Sequence, residues 1–210
     1  MKKKDAVVSM CISALLCALG LMIPMFMPKI VIPPMSFTLA SHVPIFIAMF
    51  ISPASAIMVT VVTSIGFALS MPLVVALRAA SHLVFVIVGA YMLKKSGSIL
   101  QSMRTAVPFG LLLAVLHGVC EAIVVTAFYY TGNGSESWYE SGYVMTVLLL
   151  VGLGTVVHSF VDFAIAAAVS VPLCGKRRSG LVLPSAFLAL AAVSAAARRF
   201  FSLRARGKRT

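Results

Sequence analysis

Apolar residues in this chain come in long blocks, broken only by short stretches of proline, serine, glycine or charge. The blocks cover residues 6–23, 37–51, 54–69, 73–93, 105–130 and 143–171. An α-helix needs about 20 such residues to cross a bilayer. In lipid only a segment that satisfies its own backbone hydrogen bonds is stable, so each block is read as a membrane-spanning helix. The breaks agree with that reading. Pro24 and Pro28 stop the first helix, and Ser52-Pro53 and Ser70-Met71-Pro72 separate the next three. Residues 27–34, with Pro28, Pro33 and Pro34, are read as an extended apolar loop. The predicted architecture is an all-α integral membrane bundle of six transmembrane helices, forming one domain over residues 1–175.

Orientation follows from the basic residues. Lys2-Lys3-Lys4, Lys94-Lys95 with Arg104, and Lys176-Arg177-Arg178 fall on one side of a six-span chain. The loop 131–142 falls on the other and holds Glu136 and Glu140 but no Lys or Arg. The positive-inside rule then places both termini in the cytoplasm (N-in/C-in), with the protein in the plasma membrane. Residues 176–210 are read as a basic cytoplasmic tail. Its apolar run 181–197 carries Pro184 early and would export six basic residues if it spanned, so it is read as an interfacial helix. No cleavable signal peptide is expected, because bulky residues continue from Pro24 to Pro34 where a small-residue cleavage site would be needed.

Composition strengthens the membrane reading. Apolar residues make up 61% of the 210 and charged residues 10%. The net charge of +12 invites a nucleic-acid partner, but the basic clusters flank the apolar blocks, where anionic lipid headgroups are the expected partners. Cys11, Cys17, Cys120 and Cys174 form no C-x-x-C and are read as small apolar residues. There is no P-loop and no H-E-x-x-H motif. The chain is therefore not expected to be an enzyme or to hydrolyse ATP, and no cofactor or metal of its own is expected.

Against this apolar background three pairs of ionisable residues stand out: Arg78 and His82, His117 and Glu121, His158 and Asp162. Each pair is spaced i,i+4, which stacks both groups on one helix face. A charge at the centre of a membrane helix costs about 2.5–3.5 kcal/mol on the insertion scale. Such groups must be satisfied by one another, by a watery cavity or by a ligand. Arg78 has the fork geometry that holds a carboxylate, or it snorkels outward or pairs with Glu121. The histidines and acids either line a pocket or fix the bundle through interhelical hydrogen bonds. By position, Glu121 should lie near Arg78 and Asp162 closer to the cytoplasmic half. His42, near the end of the second helix, is secondary.

Ala14 and Ala18 give the first helix a small-xxx-small face that lets another helix approach closely. Gly152 and Gly154 mark close packing or a bend in the last. Trp138 and Tyr139, in the polar loop, are candidates for a lid over the site or for interfacial anchors. The echo between Ala40-Ser41-His42 and Ala80-Ser81-His82 is attributed to chance.

Lys29-Ile30-Val31-Ile32-Pro33, the segment from Ser36 to Phe50, Arg78-Ala79-Ala80-Ser81-His82 and His158-Ser159-Phe160-Val161-Asp162-Phe163 carry a family resemblance. Over residues 6–171 the chain resembles the niacin-type substrate-binding (S) components of energy-coupling factor (ECF) vitamin transporters. The resemblance implies an S-component bundle with a vitamin pocket on its outer side. It also implies partners: a transmembrane coupling subunit and two ATPases. Ala14 and Ala18 fall where that family keeps an A-x-x-x-A docking motif.

The leading expectation is uptake of nicotinate or a similar small carboxylated heteroaromatic, with Arg78 on the carboxylate. The alternatives are an S component for another vitamin, or uptake of a divalent metal (zinc, cobalt or nickel) through the His/Glu and His/Asp pairs. Against the metal reading, this chain begins Met1-Lys2 where cobalt/nickel S components begin Met-His, and Arg78 would repel a cation. An intramembrane hydrolase is disfavoured, because Ser81-His82 and His158-Ser159 are sequence neighbours and point about 100° apart on a helix.

Overall fold

The computed structural model describes residues 3–173, so the tail from 176 and its apolar run lie outside the described residues. Among the described residues five helices are long and apolar enough to cross a membrane. In chain order the elements are α1 (Lys3–Phe26), a hairpin of β1 (Lys29–Ile32) and β2 (Met35–Thr38), α2 (Val43–Ile51), α3 (Pro53–Ser70), α4 (Leu73–Lys95), α5 (Met103–Tyr130), the short α6 (Glu136–Ser141) and α7 (Gly154–Leu173). A π-helical segment, Val144–Leu153, leads directly into α7. The outward surface is made of residues such as Leu69, Ile123 and Leu153, all well exposed, as expected where the solvent is lipid.

The long helices match the apolar blocks to within a few residues, and local sequence explains their ends. Ser52 caps α3 by accepting a hydrogen bond from the Ser55 amide at 3.1 Å, and Pro53 follows at the first helical position, where a missing N–H costs nothing. Pro24 does not stop α1, which ends at Phe26.

The main departure from expectation lies between α1 and α3. The expected extended loop 27–34 is instead half of a β-hairpin, with Lys29 opposite Thr38 and Ile32 opposite Met35 across Pro33-Pro34. The helix expected to start at residue 37 starts at Val43 and has 9 residues. At 1.5 Å per residue that is about 13 Å, less than half of a hydrocarbon core.

The hairpin is covered on one strand only: β1 is exposed along its length, whereas β2 is partly buried. Met35 and Thr38 of β2 are buried. Below them α2 packs into the bundle as an apolar plug: Phe46 meets the rings of Phe85 and Phe163 at 5.7 and 5.5 Å. Ile45, Met49, Val59, Leu113 and Ala166 complete this core.

Candidate functional site

A cavity of about 290 Å³ lies under the hairpin. Its wall takes Pro24 from α1, Lys29, Val31, Pro34, Met35, Ser36 and Thr38 from the hairpin, Thr63 and Phe67 from α3, Arg78 and His82 from α4, Glu121 from α5, and Thr155 and His158 from α7. It therefore sits at the N-terminal end of α4, the end away from Lys94 and Lys95. A polar layer forms its floor, and the aromatic core around α2 lies beneath: the His117 ring stacks on Phe85 at 4.7 Å.

Two carboxylates organise that floor. Glu121, almost fully buried, accepts a hydrogen bond from Arg78 Nη2 at 2.8 Å and from the Thr155 hydroxyl at 2.6 Å, both at Oε2. Its Oε1 faces His82 Nε2 at 3.3 Å and His117 Nε2 at 3.5 Å. Arg78 also donates to the Pro34 carbonyl at 3.1 Å. Of the readings open for Arg78, pairing with Glu121 is thus realised, while its side chain also lines the cavity. Its Nε is buried with no hydrogen-bond partner among the described residues.

Asp162 does a different job. Its Oδ1 accepts the Ala40 N–H at 3.0 Å, and its Oδ2 accepts the His42 N–H at 2.9 Å and faces His42 Nδ1 at 3.1 Å. The first N–H groups of a helix have no intrahelical partner and carry partial positive charge. A carboxylate from α7 meets that need where α2 begins inside the bundle. It also holds Ala40, whose φ of 65° lies in the left-handed region that a non-glycine residue enters at a cost.

Arg78, His82, Glu121 and His158 line the cavity, whereas His117 and Asp162 stand behind its wall. Trp138 is buried against Met35, Val125, Val147 and Val151. Tyr139 donates to the Tyr129 carbonyl at 3.1 Å. Neither aromatic is part of the lining.

Sequence reasoning placed His42 too low: it sits at the centre of the floor, 5.0 Å from His82, 4.7 Å from His117 and 5.2 Å from His158 between ring centroids. Lys29, Ser41 and Thr155 also belong to the site. For Lys29 a signal existed, a lone cation inside an apolar stretch. Gly118 permits the close approach of α5 to the π-helical segment that brings Glu121 to Thr155. A methyl group there would lie 2.7 Å from the Gly152 carbonyl oxygen.

Over 166 residues the chain is 43% identical to the niacin transporter NiaX of Lactococcus lactis subsp. cremoris (strain MG1363), covering 78% of this chain and 73% of that protein. The chain belongs to the NiaX family of transporters. It is accordingly a multi-pass membrane protein and a transporter component. No family model and no solved structure matches it.

Proposed function

We propose that the chain is the substrate-binding component of an ECF transporter and that its substrate is niacin, as nicotinate, or a closely related carboxylated heteroaromatic. The observation that carries this reading is the identity to the niacin transporter NiaX. Cavity size and charge support it. About 290 Å³ is at the lower end of small-molecule pockets and suits a single ring. Among the described residues two cations, Lys29 and Arg78, and one carboxylate, Glu121, are the charged groups of the wall. Their sum is +1, and a single ligand carboxylate brings it to zero.

In this reading the carboxylate is held by Arg78 through donors that Glu121 leaves free, with Lys29 as a second cation on the hairpin side. His82, His158 and Ser41 offer hydrogen bonds to a heteroaromatic nitrogen. Glu121 keeps the guanidinium in place and lowers the cost of burying it before the ligand arrives. Asp162 acts through α2, which supports the floor.

The hairpin and α2 together make the sixth membrane segment, both termini are cytoplasmic, and the cavity faces outward. Energy comes from partner ATPases through a transmembrane coupling subunit. The coupling subunit docks on α1, where Ala14 and Ala18 are exposed while Ser13, Leu16 and Gly20 are buried. Basic cytoplasmic segments meet anionic lipids.

The test is uptake of labelled nicotinate by cells that lack their own niacin uptake. Uptake is expected only when the chain is expressed together with a coupling subunit and its ATPases. Uptake of another vitamin in its place would overturn the substrate assignment.

A further inference from the structure

All four histidines of the chain meet at the cavity floor, His42, His82 and His158 in its lining and His117 behind it, although they come from the start of α2, from α4, from α5 and from α7. His82 and His117 are 4.4 Å apart between ring centroids. One ring nitrogen from each of His42, His82 and His117 lies within 4.8 Å of the others. Ligand nitrogens around a tetrahedral ion with bonds of about 2.0 Å are separated by about 3.3 Å, so small side-chain movements would complete the site.

Two further observations point to a ligand among these rings. His117 is fully buried; its Nε2 only faces Glu121 Oε1 at 3.5 Å without forming a hydrogen bond, and its Nδ1 has no hydrogen-bond partner among the described residues. Buried polar atoms are normally satisfied, and a neutral imidazole always carries a lone pair on one nitrogen. In addition, each of the other two rings is backed by a carboxylate: His42 Nδ1 faces Asp162 at 3.1 Å and His82 Nε2 faces Glu121 at 3.3 Å. A carboxylate behind a histidine fixes the tautomer and leaves the second nitrogen free to ligate, which is the outer-shell arrangement of metal sites. Arg78 does not stand against a cation here, because Glu121 neutralises it at 2.8 Å. Among the described residues Asp162 pairs with no Lys or Arg, only with the His42 and His158 rings and the backbone N–H groups at the start of α2.

We propose that His42, His82 and His117 form a binding site for a divalent transition-metal ion of the zinc, nickel or cobalt class. The ion is resident, not transported cargo. His42 and His82 also line the cavity, so an open coordination position faces it. This departs from the sequence-based expectation of no metal, and it does not rest on the identity of the vitamin. A second grouping, His42 with His158 and Asp162, is less suited. The oxygens of Asp162 already accept the Ala40 and His42 N–H groups, and His158 Nε2 faces the Ser41 hydroxyl at 3.1 Å.

The experiment uses the full chain, purified with a histidine-free tag, stripped with chelator and titrated with Co²⁺ alone and then with Zn²⁺. One equivalent of Co²⁺ should bind, with the visible absorption bands of a low-coordinate site, and Zn²⁺ should displace it. His82→Gln and His117→Gln should each weaken binding by at least about 100-fold, and Asp162→Asn by about 10-fold or more. His158→Gln should retain wild-type affinity within about threefold. Absence of stoichiometric Co²⁺ or Zn²⁺ binding by the wild type overturns the proposal, whatever the variants do. Loss in His158→Gln with retention in His82→Gln also overturns it, in favour of the second grouping. Nicotinate binding to the same preparation is measured separately, so failure of the metal site and failure of the niacin reading are told apart.

Discussion

Replacing Asp162 with asparagine should damage the fold more than the ligand site. The carboxylate accepts from the Ala40 N–H at 3.0 Å through one oxygen, and from the His42 N–H at 2.9 Å and His42 Nδ1 at 3.1 Å through the other. An asparagine has one acceptor oxygen and an NH₂ group. The less costly orientation keeps the oxygen on His42 and turns the NH₂ toward the Ala40 N–H, which is stranded. An unsatisfied buried donor costs about 1–3 kcal/mol. The two bonds to His42 lose their charge assistance, and polar bonds between membrane helices are worth about 0.6–1.7 kcal/mol each. Because both bonds are kept in weakened form, only part of that worth is lost, and the total should be about 1–5 kcal/mol. Reversible unfolding in mixed micelles, followed by circular dichroism, measures it. Nicotinate titration of the folded fraction should show a smaller loss of affinity for Asp162→Asn than for Glu121→Gln, since only Glu121 lines the cavity. Stability within about 0.5 kcal/mol of wild type would refute the capping role of Asp162, and equal or reversed affinity losses would refute the placement of the site.

Other predictions follow from single contacts. Lys29→Gln should weaken nicotinate binding only modestly, by about threefold to tenfold, and reduce its dependence on salt, as for an exposed charge; a titration at two ionic strengths checks this. Gly118→Ala should push α5 away from the Gly152 carbonyl and cost about 1–3 kcal/mol as an overpacking change, read from the same unfolding assay. Ala14→Trp and Ala18→Trp should abolish transport and co-purification with the coupling subunit, since both residues are exposed, while affinity in detergent stays near wild type. Loss of affinity as well would mean that this face packs internally.

The long helices were legible because lipid demands unbroken apolar runs, and α3, α4 and α5 start and end within about two residues of those runs. The Arg78–Glu121 neighbourhood was legible for the same reason: buried charges must find partners. The hairpin was not legible. Ile30-Val31-Ile32 is uniformly apolar, so it lacks the alternation that marks a strand, and Phe37 to Leu39 merge with the apolar run of α2. The boundary at Val43 depends on Ala40 in a left-handed conformation and on Asp162, 122 residues away in sequence from Ala40. The same distance hid His42, which resembles an isolated histidine at a helix end until α7 is packed beside it. The π-helical segment before α7 left only Gly152 and Gly154 as a trace; these mark close packing or a bend, and the close approach of Gly118 to the Gly152 carbonyl is such packing.

Equilibrium binding of radiolabelled nicotinate to the purified chain alone, without coupling subunit or ATPases, tests the central claim most directly. Saturable binding at one site per chain is predicted, with Arg78→Ala reducing affinity by about 2–5 kcal/mol, or at least about 30-fold. A monodisperse wild-type protein that shows no saturable nicotinate binding would contradict the account.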